Sequence, residues 1–146
     1  MANPSPRQVL REKVRDCLAR IKTAAGYRTD AGDVVTLEPG QVTDDAEAVL
    51  AVLAARQDRP TEPSQKMVSR LTTVVILAKV PAQIDEAQAR LDDIVSDIED
   101  AMADQQFRYP VGYQFPQYVS MEPAEAKAGM GWVGALVTYQ SHIPIK

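Results

Sequence analysis

The sequence predicts an α/β (α+β) fold: a single domain, 1–146, with a mixed, mostly antiparallel sheet backed by two helices at about 7–25 and 83–104. Two stretches carry this reading. RLTTVVILAKV has apolar residues at both parities through Thr72, Thr73, Val74, Val75, Ile76 and Leu77, the pattern of a central strand whose two faces are both covered. After Pro81, which ends a ladder by withholding an N–H, Ile84, Ala87, Leu91, Ile94, Val95, Ile98, Ala101 and Met102 recur at three- and four-residue steps and line one side of a helix. The length of 146 residues suits one domain. At that size about 68–70% of the unfolded surface leaves water, enough for a self-sufficient core.

In chain order, Ser5-Pro6 offers a hydroxyl cap followed by a proline in the first turn, where a missing N–H costs nothing. From there Leu10, Val14, Cys17, Leu18, Ile21 and Ala25 share one side of a helix running to about residue 25. Gly26 is placed to turn left-handed past its end. Val34 to Leu37 reads as a short strand, stopped by Glu38-Pro39-Gly40. AVLAVLAARQ is open. Its alanine content and the acidic lead-in DDAE favour a helix on propensity, while Val49, Leu50, Val52 and Leu53 also fit a strand buried on both faces.

The segment 57–66, QDRPTEPSQK, has two prolines and no large apolar residue, so it reads as a mobile loop. Beyond the long helix, FRYPVGYQFPQYV gathers aromatic residues among prolines and predicts an irregular segment with short edge strands. Trp132 to Ile143 closes the chain as a strand, with Val133, Ala135, Val137 and Tyr139 on one parity.

Composition narrows the chemistry. With 16 Lys+Arg against 20 Asp+Glu the net charge is −4, which argues against DNA or an anionic membrane as the main partner. Cys17 is the single cysteine, so no intrachain disulfide or thiolate metal cluster is expected, and its place on an apolar stripe makes it a small core residue. No stretch has the apolar run of a signal peptide or a membrane span, so a soluble cytoplasmic protein is expected. His142 is the single histidine and reads as a surface or edge residue without an orienting carboxylate. GMGWVG lacks the strand-to-helix context of a phosphate loop. No catalytic residue, cofactor or metal is assigned, and the chain is not read as an enzyme.

The charge pattern points to assembly. The first helix carries Arg7, Arg11, Lys13, Arg15, Arg20 and Lys22 against Glu12 and Asp16. The second carries Asp85, Glu86, Asp92, Asp93, Asp97, Glu99, Asp100 and Asp104 against Arg90. These acids are read as lying opposite the apolar stripe. Asp93, Asp97 and Asp100 share one side, where three carboxylates would suit a hard cation; a solvated face is preferred over a metal site. Unlike surfaces of this kind set orientation when copies meet, which makes Arg11, Arg15, Arg20, Asp93, Asp97 and Asp100 the candidate subunit-interface residues.

The order of elements resembles the tail-terminator (minor tail, tail-completion) family of long-tailed bacteriophages. The pieces are a first helix ending in GYRTDAGD, then DDAEAVLAVLAARQ, a polar loop, RLTTVVILAKV with PAQ before the LDDIVSDIEDAM helix, and the closing AGMGWVGALVTYQ. The resemblance implies that AVLAVLAARQ is a strand. It also implies a structural virion protein, assembled in the host cytoplasm, whose copies close into a hexameric ring on the last ring of the tail tube. Such a ring stops tube polymerisation and presents a surface for the head completion or connector protein. Arg56, Asp58, Arg59, Glu62 and Lys66, on and beside the polar loop, are then the candidate contacts to the tube protein. The alternatives are a head-tail connector or neck protein and a generic α/β interaction module.

Overall fold

The computed structural model describes residues 4–37, 49–61, 69–81, 86–103, 109–124 and 131–145. Helix α1 (Pro6–Leu18) begins as its sequence dictates, with the Ser5 hydroxyl accepting the Gln8 N–H at 3.2 Å and Pro6 in the first turn. It ends seven residues before the expected boundary at 25. Ile21 is fully buried, but from a non-helical position, because its carbonyl accepts the Gly32 N–H at 2.9 Å and the next residue, Lys22, is extended. The apolar stripe therefore outlasts the helix. A separate 3-10 turn, Thr23–Ala25, follows, and Gly26 closes it in the left-handed conformation with φ 97°.

The Asp30 carboxylate anchors that turn by accepting the Thr23 N–H at 2.8 Å and the Thr23 hydroxyl at 3.0 Å. The backbone N–H first, then the hydroxyl, holds Asp30 below the usual carboxylate range. A depressed folded pKa contributes stability above the unfolded value and loses it as pH falls through the folded one. The melting-temperature advantage of the native chain over Asp30→Asn is therefore expected to be largest at neutral pH and to close as pH falls below about 4, as read by thermal melts across that range.

The remaining elements are a second 3-10 turn (Ala31–Asp33), β1 (Val35–Thr36), β2 (Val49–Asp58), β3 (Ser69–Pro81), α2 (Ala87–Ala103), β4 (Gln117–Ala124) and β5 (Trp132–Pro144). The five strands form one sheet in the order β1-β2-β3-β5-β4. The β1–β2 pair is parallel and the other three pairs are antiparallel. This is the α+β fold that the sequence predicts, with β3 at its centre. AVLAVLAARQ is strand: tertiary pairing with β3, from Val49 opposite Lys79 to Asp58 opposite Leu71, overrides its alanine helix propensity. Of the segment read as a loop, Gln57 and Asp58 belong to β2, and residues 62–66 lie outside the described residues.

Both helices pack on one face of the sheet. Leu10, Val14, Cys17 and Leu18 of α1 and Leu91, Ile94, Val95, Ile98, Ala101 and Met102 of α2 meet Leu50, Val52, Val74, Ile76, Ala78, Val80, Ala135, Val137, Tyr139 and Ile143. Cys17 is a core residue, as expected, with Sγ 3.9 Å from the Tyr109 hydroxyl. Tyr109 stands edge-on to Phe115, ring centroids 5.5 Å apart, and burial first pushes its phenol well above the usual range.

The other face departs from the expectation that both sides of the central strand are covered. Val49 and Ala51 are buried there, yet Leu53, Val75, Leu77 and Leu136 are only half-buried. No described helix lies over them. Towards one end, Lys79 Nζ sits 4.9 Å from the centre of the Trp132 ring. Towards the other, the same face turns polar through Thr73, Thr138 and Gln140.

β2 and β4 are irregular at the same height. β2 has a register shift between Ala54 and Arg56, and β4 has one between Tyr118 and Ser120. Ala54, Val74, Tyr139 and Tyr118 form one rung across four strands, so the two bulges flank a single rung.

Candidate functional site

The acidic helix is not uniformly solvent-facing. Asp97 is fully buried, and its carboxylate accepts the Arg28 N–H at 3.0 Å, the Thr29 N–H at 2.8 Å and the Thr29 hydroxyl at 2.7 Å. Thr29 is itself 1% exposed. This corrects two readings. With no surface to offer, Asp97 is an internal clamp on the GYRTDAGD loop and not a subunit-interface residue. Its oxygens also face donors, so Asp93, Asp97 and Asp100 do not converge as cation ligands; among the described residues no group of three or more His, Cys, Asp or Glu side chains is arranged for a metal. The signal was in the spacing: position 97 is three residues past Ile94 and four before Ala101, inside the apolar stripe.

The other candidate interface residues stay on the outer side of the helix layer. Asp93 is exposed, and Asp100 meets the Arg28 guanidinium at 3.5 Å. Arg20 is exposed beyond the end of α1, and Arg15 pairs with its neighbour Asp16 at 3.4 Å. Arg11 is turned back on its own subunit, donating to the Leu37 carbonyl at 3.3 Å. Because both helices pack on one face of the sheet, basic and acidic surfaces stand side by side. These surface pairs contribute at most about 1 kcal/mol each to folding.

Of the candidate tube contacts, Arg56 and Asp58 form an ion pair of 2.9 Å at the end of β2, and Arg59 is exposed just beyond it. Glu62 and Lys66 lie outside the described residues. Near this end the chain is tied down. The Thr61 N–H donates to His142 Nε2 at 3.2 Å, and His142 Nδ1 lies 2.7 Å from Gln114 Oε1. Since Nε2 accepts, the proton sits on Nδ1 and points at the amide oxygen. The Thr61 hydroxyl is also 3.3 Å from Nε2. That gives the connectivity of a nucleophile, base and orienting group. A neutral amide is a poor support for an imidazolium, though, and the Nε2 lone pair is already shared with a backbone N–H, so the group acts as a tie between the β2 exit and the segment before β4.

Two clefts among the described residues are open and basic. One of about 340 Å³ is lined by Ser5, Arg7, Arg11, Leu53 and Ala54, and one of about 240 Å³ by Ser5, Pro6, Arg7, Gln57, Arg70, Pro144 and Ile145. Neither contains a carboxylate, thiol or imidazole, so they offer charge and shape but no acid-base chemistry. No described helix is long and apolar enough to cross a membrane.

Among the described residues the features that stand out are therefore surfaces: a half-buried apolar sheet face, sheet edges with unpaired stretches and a helix layer divided by charge. Comparison with known proteins returns no matching family model and no similar characterised protein.

Proposed function

We propose that the chain is a subunit of a ring that caps the tail tube of a long-tailed bacteriophage, stops the tube from growing and presents a surface for head joining. The observation that carries this reading is the incomplete covering of the central strand. Val75 and Leu77 are apolar like their neighbours on the helix-covered face, yet they remain half-buried. A strand that is hydrophobic on both faces loses most from water when both are covered, and a subunit built for a larger assembly keeps the second cover for its partners. The resemblance in element order adds the kind of assembly, and the charge-divided helix layer supplies unlike surfaces for neighbouring copies.

In this reading the β2 end with Arg56, Asp58 and Arg59 docks on the tube. The double variant Arg56→Glu, Arg59→Glu is expected to keep its thermal stability within about 1 kcal/mol, because both side chains are exposed, and to lose most of its binding to tubes in a co-sedimentation assay. Unchanged binding would remove the β2 end from the docking surface.

The reading is tested by adding the protein to polymerising tube protein and imaging by negative stain. Tubes of restricted length with added density at one end are expected. Tubes that grow on undecorated, with binding to DNA-filled heads instead, would favour the connector reading over this one.

A further inference from the structure

We infer that copies of the chain join by β-sheet edge pairing, with the outer edge of β4 on one copy lying antiparallel to the outer edge of β2 on the next. This rests on the ring reading and names the contact that would make the ring.

Three observations converge on it. First, among the described residues both sides of the sheet end in unpaired stretches. Among the described residues β4 pairs only with β5, and residues 117–123 are all exposed. On the other side β1 covers only Leu50 and Ala51, so from Val52 to Asp58 no described strand pairs with the outer side of β2, and Ala55, Arg56 and Gln57 are exposed. An open edge presents a row of N–H and C=O groups that templates another strand. β4 is weakly defended against this. Its one charged residue is Glu122, and Tyr118, Val119 and Met121, half of the six large exposed apolar residues among those described, all lie on it.

Second, the polarity fits. β2 is antiparallel to β3, β3 to β5 and β5 to β4, so β2 and β4 run in opposite directions within one sheet. A second copy placed beside the first in the same orientation sets its β2 against β4 as an antiparallel pair, continuing the ladder. The two edges differ, so the contact is heterologous and propagates in one direction.

Third, both strands that would meet carry a register shift at the same height. The register shifts flank the Ala54, Val74, Tyr139, Tyr118 rung, one in β2 and one in β4. A flat sheet joined by its edges extends into a fibre, whereas a repeated bend closes it. Pro123 near the end of β4 limits how far the ladder can run.

The experiment uses cysteine cross-linking in a Cys17→Ala background, since Cys17 is buried and contributes no surface thiol. Ala55→Cys and Ser120→Cys are made singly and together, and treated with a short bis-maleimide that tolerates a small offset in register. Each single variant alone is expected to stay uncross-linked, an equal mixture of the two to give covalent dimers, and the double variant to give a ladder on a denaturing gel. In parallel, Val119→Lys places a charge on the β4 edge and is expected to abolish self-association while leaving the melting temperature and circular dichroism of the subunit unchanged. Rings that persist by sedimentation without mixed cross-links, or in Val119→Lys, would overturn edge pairing and leave the ring reading standing. Failure to self-associate under any condition, including on tail tubes, would overturn both.

Discussion

Replacing Asp97 with alanine is expected to cost about 4 kcal/mol, a large part of the roughly 5–15 kcal/mol that holds a domain of this kind together. The expectation follows from what the carboxylate leaves behind. Three donors, the N–H groups of Arg28 and Thr29 and the Thr29 hydroxyl, point at it from a loop 68 residues or more away in sequence, and none of its surface reaches water. Deletion strands buried donors at about 1–3 kcal/mol each, less whatever relaxation lets in water. Asparagine keeps the shape but turns one acceptor into a donor facing a donor, so Asp97→Asn is expected to cost about 2 kcal/mol rather than to rescue. Arg28→Ala provides the contrast. Its guanidinium side chain is 57% exposed and stands 3.9 Å from Asp97, a contact worth under about 1 kcal/mol, while its N–H is kept. Urea unfolding of the three variants reads this order directly; equal losses in Asp97→Ala and Arg28→Ala would show that the ion pair and not the backbone clamp is what matters.

Gly32→Ala is expected to cost about 3 kcal/mol, and for a reason of space alone. A Cβ at this position would stand 2.6 Å from the Leu18 carbonyl oxygen, 2.8 Å from that of Ala19 and 2.8 Å from the Ile21 nitrogen. All three are backbone atoms at the end of α1, so no side chain can swing aside. Relief means pulling the 31–33 turn off the helix, which breaks the Gly32 N–H bond to Ile21 and loosens the loop that Asp97 grips. Gly26→Ala tests the other glycine mechanism: nothing lies within 4 Å of its added Cβ, but φ is 97°, and the cost is expected to be about 1–2 kcal/mol from conformation. Chemical denaturation of the pair should rank Gly32 first; the reverse order would mean that the turn yields more easily than the packing suggests.

The long helix and the central strand were legible because the apolar pattern of each is strong, yet the helix begins at Ala87 and not at 83, since Glu86 just before it has φ 56°, and the strand's second face is only half covered. The first helix was legible at its start, where a cap and a proline act locally, but not at its end. Ile21 continues the apolar stripe while its carbonyl is committed to Gly32, eleven residues on, and no local pattern encodes that bond. β2 was undecidable from its own residues, since alanine and valine serve either state and only the facing strand decides. Asp97 was hidden by its acidic neighbours, although its spacing from Ile94 marked it as inward-facing. The open edges depend on strand order, which arises from pairing between distant segments and leaves no trace in any one of them.

The measurement that bears most directly on the assembly account is sedimentation of the purified chain from micromolar to millimolar concentration, at low and high salt, with and without tail tubes. A discrete species near six subunits that grows with concentration, weakens with salt and collects on tube ends is the predicted result. A monomer under every condition, with tubes that neither bind it nor stop growing, would contradict the account.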